Sequence, residues 1–187
     1  MSSDLRPFSY VVLALVGDGG AGAHDILDMI RRGGRVYWST SPSQVYAEPK
    51  RLAALGYLTS TREPGRTHDR TVYRLTPRGR DALKEWLRSP SSFPRIQHEA
   101  SVRLLAGDLI EDSEIVGSLD GLRAEIAEIS ALVDEMEAAR SAFPHRERYL
   151  RLEHSLAHRL LQAHLDWIDE VERELGVPDR PEARSGM

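Results

Sequence analysis

Apolar residues recur in helical phase over most of the chain. From Pro7 to Val16 the sequence is apolar almost all round, Gly17 to Gly22 interrupts it, and Ala23 to Arg32 resumes with Ile26, Leu27, Met29 and Ile30 on one side. This predicts helix, glycine turn, helix. Ser41-Pro42-Ser43-Gln44 then reads as a helix start. Ser41 is placed to cap, Pro42 takes the first helical position, and Gln44 stands where a capping-box side chain reaches back. The predicted helix runs to about Leu55 and stops at Gly56. Val45, Leu52 and Leu55 form its inward stripe, and Pro49, which removes a backbone donor in mid-helix, is expected to kink it.

Tyr57–Thr61 and Thr71–Leu75 have strand composition and flank a polar stretch bearing Arg62, Arg66 and Arg70, a predicted hairpin. Thr76-Pro77 opens a further helix through Ala82, Leu83, Trp86 and Leu87, and Ser89 to Pro94 reads as a hinge. Beyond it, Ile115, Leu119, Leu122, Ile126, Ile129, Val133 and Met136 follow a 4, 3, 4, 3, 4, 3 spacing, the seam of a packed helix. A second long helix is predicted from about Arg146 to Leu175, with Tyr149, Leu152, Leu156, Leu160, Leu161, Leu165, Ile168, Val171 and Leu175 on its apolar side. Pro144 separates the two, so they are expected to fold back as an antiparallel pair. A second copy of the chain is the simplest cover for what they leave exposed, with Ile126, Ile129, Val133, Leu156, Leu160 and Ile168 as its contacts. Residues 1–88, 89–94, 95–176 and 177–187 are thus read as a first domain, a hinge, a helical dimerisation domain and a flexible tail.

Composition narrows the class. The chain has 187 residues, no cysteine and a net charge of −4, which excludes thiolate metal sites and disulfide frameworks and fits a cytoplasmic setting. The average conceals an asymmetry: up to Arg88 there are 14 Lys+Arg against 9 Asp+Glu, afterwards 11 against 20, or +5 and −9. A polyanion is therefore expected to meet the first part only. The most apolar run, Tyr10 to Val16, is far short of the roughly 20 residues a membrane span needs.

Helix, helix, capped third helix and a hairpin with a basic tip is the plan of a winged helix-turn-helix, mostly α with a small hairpin. A third helix of this kind fits a major groove, and the hairpin reaches neighbouring phosphates. Trp38 to Tyr46, Lys50 to Leu58 and Tyr73 to Leu83 resemble the corresponding segments of PadR-family transcriptional regulators. Ala23-His24-Asp25 depart from the Gly-Tyr-acid triplet common in that family. The resemblance implies a homodimeric repressor that binds a palindromic operator in double-stranded DNA and is relieved by a small, often aromatic, effector. It places Tyr46 at the recognition-helix tyrosine and Ser43, Gln44, Lys50 and Arg51 at DNA-facing positions. With Ser41 and the hairpin's Arg62, Arg66, Thr67, His68 and Arg70, these make up the expected DNA contacts. Tyr46 is equally open to a core role, and Gln44's amide is claimed both by the cap and by a base edge.

Other chemistry is weaker. Gly17 to Gly22 satisfies G-x-G-x-x-G, but no acidic residue ends the next apolar run and no strand-helix alternation follows, so a dinucleotide site is not expected. His154, His158 and His164 are read as ordinary helix histidines rather than metal ligands, and no catalytic constellation or cofactor is expected. Trp86 and Trp167 are candidates to line an effector cavity, with core packing as the competing duty. A protein-binding adaptor and a MarR-like regulator are the alternative readings.

Overall fold

The computed structural model describes residues 4–32, 34–38, 40–64 and 69–176. They form two compact units, Met1–Phe93 and Pro94–Met187.

The first unit contains α1 (Pro7–Val16), β1 (Ala21–Gly22), α2 (Ala23–Arg32), α3 (Pro42–Ala54), β2 (Leu58–Glu63), β3 (Arg70–Leu75) and α4 (Pro77–Arg88). The apolar helix α1 lies at its centre: Val12 and Leu13 are fully buried, together with Ile26 of α2, Val45 and Leu52 of α3. Each helix starts where the sequence predicts. Ser41 and Gln44 form the capping box of α3, and Gly56, at φ +77°, ends that helix while the Tyr57 N–H donates back to the Leu52 carbonyl (2.9 Å). Pro49 is fully buried within an α3 that continues uninterrupted through it, so its cost in lost hydrogen bonding is offset by packing rather than by ending the helix.

The hairpin is in register from Leu58 opposite Leu75 to Glu63 opposite Arg70. A third strand, which the sequence did not announce, completes an antiparallel sheet of order β1-β3-β2, with Ala21 opposite Tyr73. Its cause is the glycine run. Gly20 sits at φ +78°, and a Cβ there would come within 2.9 Å of the Tyr73 carbonyl oxygen and of Arg74 Cγ. These glycines permit close strand approach; nothing in the sheet is parallel, as a dinucleotide crossover requires. Gly79 has an equally strict reason, since a Cβ there would fall 2.0 Å from the Tyr57 carbonyl oxygen. Thr76 caps α4 by accepting from the Gly79 N–H (3.0 Å) and donates its hydroxyl to the Gly56 carbonyl (2.8 Å).

The second unit contains α5 (Glu99–Leu105), α6 (Asp112–Ser118), α7 (Asp120–Ala139) and α8 (Glu147–Glu174). Arg123 near the start of α7 pairs with Asp169 (2.7 Å) and Glu172 (3.1 Å) near the end of α8, which makes the pair antiparallel as predicted. The expected continuous seam is divided at Leu119, where α6 ends and α7 begins. Leu119, Ile126 and Val133, seven apart, are buried against α8, whose Ala157, Leu161, Ile168 and Val171 form the matching stripe. Ile126, Val133 and Ile168, expected at a dimer contact, are therefore consumed within one chain. Ile129 and Leu160 are half-buried, whereas Tyr149, Leu152 and Leu156 are 60%, 57% and 51% exposed. The short helix α5 had no separate signature in the sequence.

His154 lies in the buried stripe of α8 with neither ring nitrogen hydrogen-bonded. Burial, with His158 and Arg140 nearby, lowers its pKa against the opposing pull of Glu137. It is packed as a neutral ring, and among the described residues no group of three or more His, Asp or Glu is arranged to hold a metal ion. Among the same residues no helix is long and apolar enough to cross a membrane.

Candidate nucleic-acid interface

Helix α3 presents one polar face outward. Val45, Pro49 and Leu52 anchor its inner side, so residues a turn apart on the other side, Ser43, Tyr46 and Lys50, are exposed. Tyr46 is 41% exposed, which takes its ring out of the core. Ser41 and Ser43 share a hydroxyl contact of 2.9 Å at the helix start, where unpaired backbone donors favour an anion.

Gln44 serves the cap. Its Oε1 accepts from the Thr40 hydroxyl (2.8 Å) and the Ser41 N–H (3.4 Å), and because a backbone N–H can only donate, the oxygen must face inward. The outward group is the Nε2 amide, a donor, which suits a guanine or thymine acceptor and forgoes the bidentate adenine pairing that needs both atoms.

Arg51 is placed differently from the expectation. Its guanidinium binds Glu48 (2.6 and 2.9 Å), the Ser9 hydroxyl (3.0 Å) and the Asp4 carbonyl (2.9 Å). Ser9 also donates to Glu48 Oε1 (2.6 Å). Burial raises the Glu48 pKa, but the hydrogen bonds from Arg51 and Ser9, with the charges of Arg51 and Arg6, outweigh it and hold the carboxyl below the usual glutamate range. Arg51 thus orients α3 on the start of α1 instead of facing outward. Sequence reading missed Glu48 and Ser9: the three-residue spacing of Glu48 and Arg51 was visible, whereas Ser9 is 39 positions from Glu48 and only folding brings them together.

On the hairpin, Arg62 is exposed on β2 opposite Thr71. Arg70 on β3 binds Asp25 (3.1 Å), which also accepts from the Gly22 N–H (2.9 Å), so it joins the sheet to α2. Arg74 is held by Glu63 (2.6 Å). Arg66, Thr67 and His68 lie outside the described residues. Of the two tryptophans, Trp86 stacks on Tyr10 with ring centres 4.9 Å apart and packs against the first unit's core. Trp167 stands on α8 of the second unit, edge-on to His98 at 5.4 Å.

A three-helix unit with a capped, outward-facing third helix and an adjoining antiparallel hairpin is a winged-helix domain, the architecture of many transcription regulators. Residues 12–85 match the transcriptional regulator PadR-like family, so the first unit carries a PadR-like domain. The chain is 24% identical over 180 residues to the negative transcriptional regulator PadR of Bacillus subtilis, spanning 89% of this chain and 96% of that protein. The crystal structure of that PadR in complex with operator DNA superposes with a TM-score of 0.75 at 19% identity, covering 91% of this chain and 99% of the other. Its complex with p-coumaric acid gives 0.62 at 20% identity, covering 91% and 97%. The Vibrio cholerae virulence activator AphA gives 0.67 at 29% identity, covering 89% and 96%.

Proposed function

We propose that this chain is a dimeric, sequence-specific DNA-binding repressor that lays α3 in the major groove and sets the hairpin on flanking backbone. The outward face of α3 carries the reading: Ser41, Ser43, Gln44, Tyr46 and Lys50 stand exposed on a helix whose opposite side is fixed in the core. Arg62, Arg66, Thr67 and His68 provide the hairpin's contacts, while Arg70 ties the sheet to α2 through Asp25 and Arg51 acts by holding α3 in place. The +5 charge up to Arg88 supports a polyanion partner for this part of the chain. The binding of operator DNA by B. subtilis PadR favours DNA over a protein partner.

In this reading residues 1–88 bind DNA, 89–94 are the hinge and 95–176 dimerise, through the exposed Tyr149, Leu152 and Leu156 of α8. The site is the cytoplasm, the activity is not enzymatic, and a small effector acts at the second unit near Trp167. Gel shifts with the DNA upstream of the chain's own gene, at two salt concentrations, test the proposal. A retarded band that resists competitor DNA and weakens steeply with salt is expected. Equal competition by unrelated DNA would refute sequence-specific binding.

A further inference from the structure

Ala47, which no sequence pattern singled out, is exposed on the outer face of α3, one turn after Ser43 and Gln44 and one turn before Lys50. Helical side chains lean toward the helix N-terminus, so the Ala47 methyl group lies over the turn that carries Gln44. An aliphatic group thus stands beside a polar one at the part of the helix that enters a groove first.

The polar neighbour has a fixed orientation. Gln44 Oε1 accepts from the Thr40 hydroxyl (2.8 Å) and the Ser41 N–H (3.4 Å), while the Gln44 N–H donates to the Ser41 hydroxyl (3.4 Å). Turning the amide over would set its NH2 group against the Ser41 N–H, two donors with no acceptor between them. Gln44 therefore offers N–H donors outward and keeps its acceptor on the helix start.

The major-groove edges of the four bases answer this arrangement unequally. Adenine pairs with an amide through both of its polar atoms, and one of them is spent here. Cytosine presents its N4 amino group, a donor facing a donor. Guanine presents two acceptors and no methyl group, and suits a cation such as Lys50. Thymine presents the O4 acceptor beside the C5-methyl group, the complement of a donor beside an alanine.

We propose that α3 reads a thymine in each half-site, with Gln44 Nε2 donating to O4, the Ala47 methyl group packed on the C5-methyl group, and Thr40 as the positioning residue that fixes the amide. This rests on the reading of α3 as the groove-bound helix.

The test selects duplexes from a random-sequence library with the full chain. The enriched duplex is then remade with deoxyuridine or 5-methyldeoxycytidine at each thymine in turn, and Kd is read by fluorescence anisotropy. At one thymine of each half-site, uracil, which lacks only the methyl group, is expected to weaken binding about threefold, and 5-methylcytosine, which keeps the methyl group but exchanges O4 for a donor, about tenfold. Ala47→Gly should abolish the uracil effect at that position. Gln44→Glu keeps the capping box and replaces the outward donor by an acceptor, so it should prefer 5-methylcytosine to thymine there. Thr40→Val should raise adenine relative to thymine at the same position, and Thr40→Ser should restore the parent preference, which a loss of stability alone would not do. Each comparison is a ratio between duplexes for one variant, so a general change in affinity or folding cancels.

Uracil sensitivity that persists in Ala47→Gly, or a Gln44→Glu variant that still prefers thymine, overturns the assignment, as does an enriched site with no uracil-sensitive thymine. An unchanged base preference in Thr40→Val removes Thr40 as the positioning residue. Enrichment of duplexes without these effects refutes the thymine contact alone, whereas failure to enrich any duplex refutes the DNA-binding reading and the contact with it.

Discussion

Two adjacent basic residues on α3 have opposite duties. Lys50 is exposed on the face that carries Ser43 and Tyr46, whereas Arg51 closes a network with Glu48, Ser9 and the Asp4 carbonyl. Lys50→Ala should therefore weaken DNA binding at every sequence, lower the salt slope by about one, and leave stability within about 0.5 kcal/mol. Arg51→Ala leaves Glu48 buried without its cation and should destabilise the first unit by about 2 kcal/mol, discounted from a fully buried pair because the arginine is partly exposed. Urea unfolding and filter binding on both variants separate the two roles. The same network sets a pH dependence. The Glu48 carboxyl titrates lower in the folded chain than in the unfolded one, so its contribution is complete above the ordinary glutamate range and is lost as pH falls through the folded value. Glu48→Gln should flatten that acid limb of the stability curve, and an unaltered limb would dissociate the network from it.

At the scale of elements, α8 has two apolar sides that a one-dimensional pattern merges. Ile168, Leu161 and Ala157 face α7, while Leu152 and Leu156 are exposed together with Tyr149. Leu152→Glu is expected to leave the fold intact and shift sedimentation from dimer to monomer. Ile168→Glu should instead unfold the helix pair, costing about 3 kcal/mol or more, because it places an unpaired charge in a dry contact. If Leu152→Glu sediments as the parent chain does, α8's exposed stripe is not the subunit contact. The winged unit shows the same merging on a smaller scale. Gly17 to Gly22 resembles a phosphate-binding turn in sequence, yet serves as the approach of β1 to β3.

For the whole molecule, charge is divided between two jobs. The basic residues up to Arg88 do not all face DNA: Arg51, Arg70, Arg74 and Arg80 are engaged by Glu48, Asp25, Glu63 and Asp18 within the fold. Each pair cancels one charge of either sign and leaves the net +5 as it is, but it commits those arginines within the fold, whereas Lys50 of α3 and Arg62 of β2 stand exposed. Arg62→Ala should reduce the salt slope by about one, whereas Arg74→Ala, whose partner is Glu63, should change it far less. Equal slopes in the two variants would show that the internal ion pairs open on binding.

How much of this was legible in the amino acids depends on the range of the interaction. The caps at Ser41 and Thr76, the stop at Gly56, the hairpin and the extents of α3, α4 and α8 are local matters of backbone donors, φ angles and helical phase, and the sequence by itself determined them. The partner of each side chain is a long-range matter. Only tertiary structure decided that Arg51 turns inward to Ser9, that Arg70 meets Asp25, that Trp86 stacks on Tyr10, and that Ile126, Val133 and Ile168 are spent inside one chain. A helical period says which residues share a face, but whether that face meets its own chain, a second copy, DNA or a ligand depends on what folding has already covered.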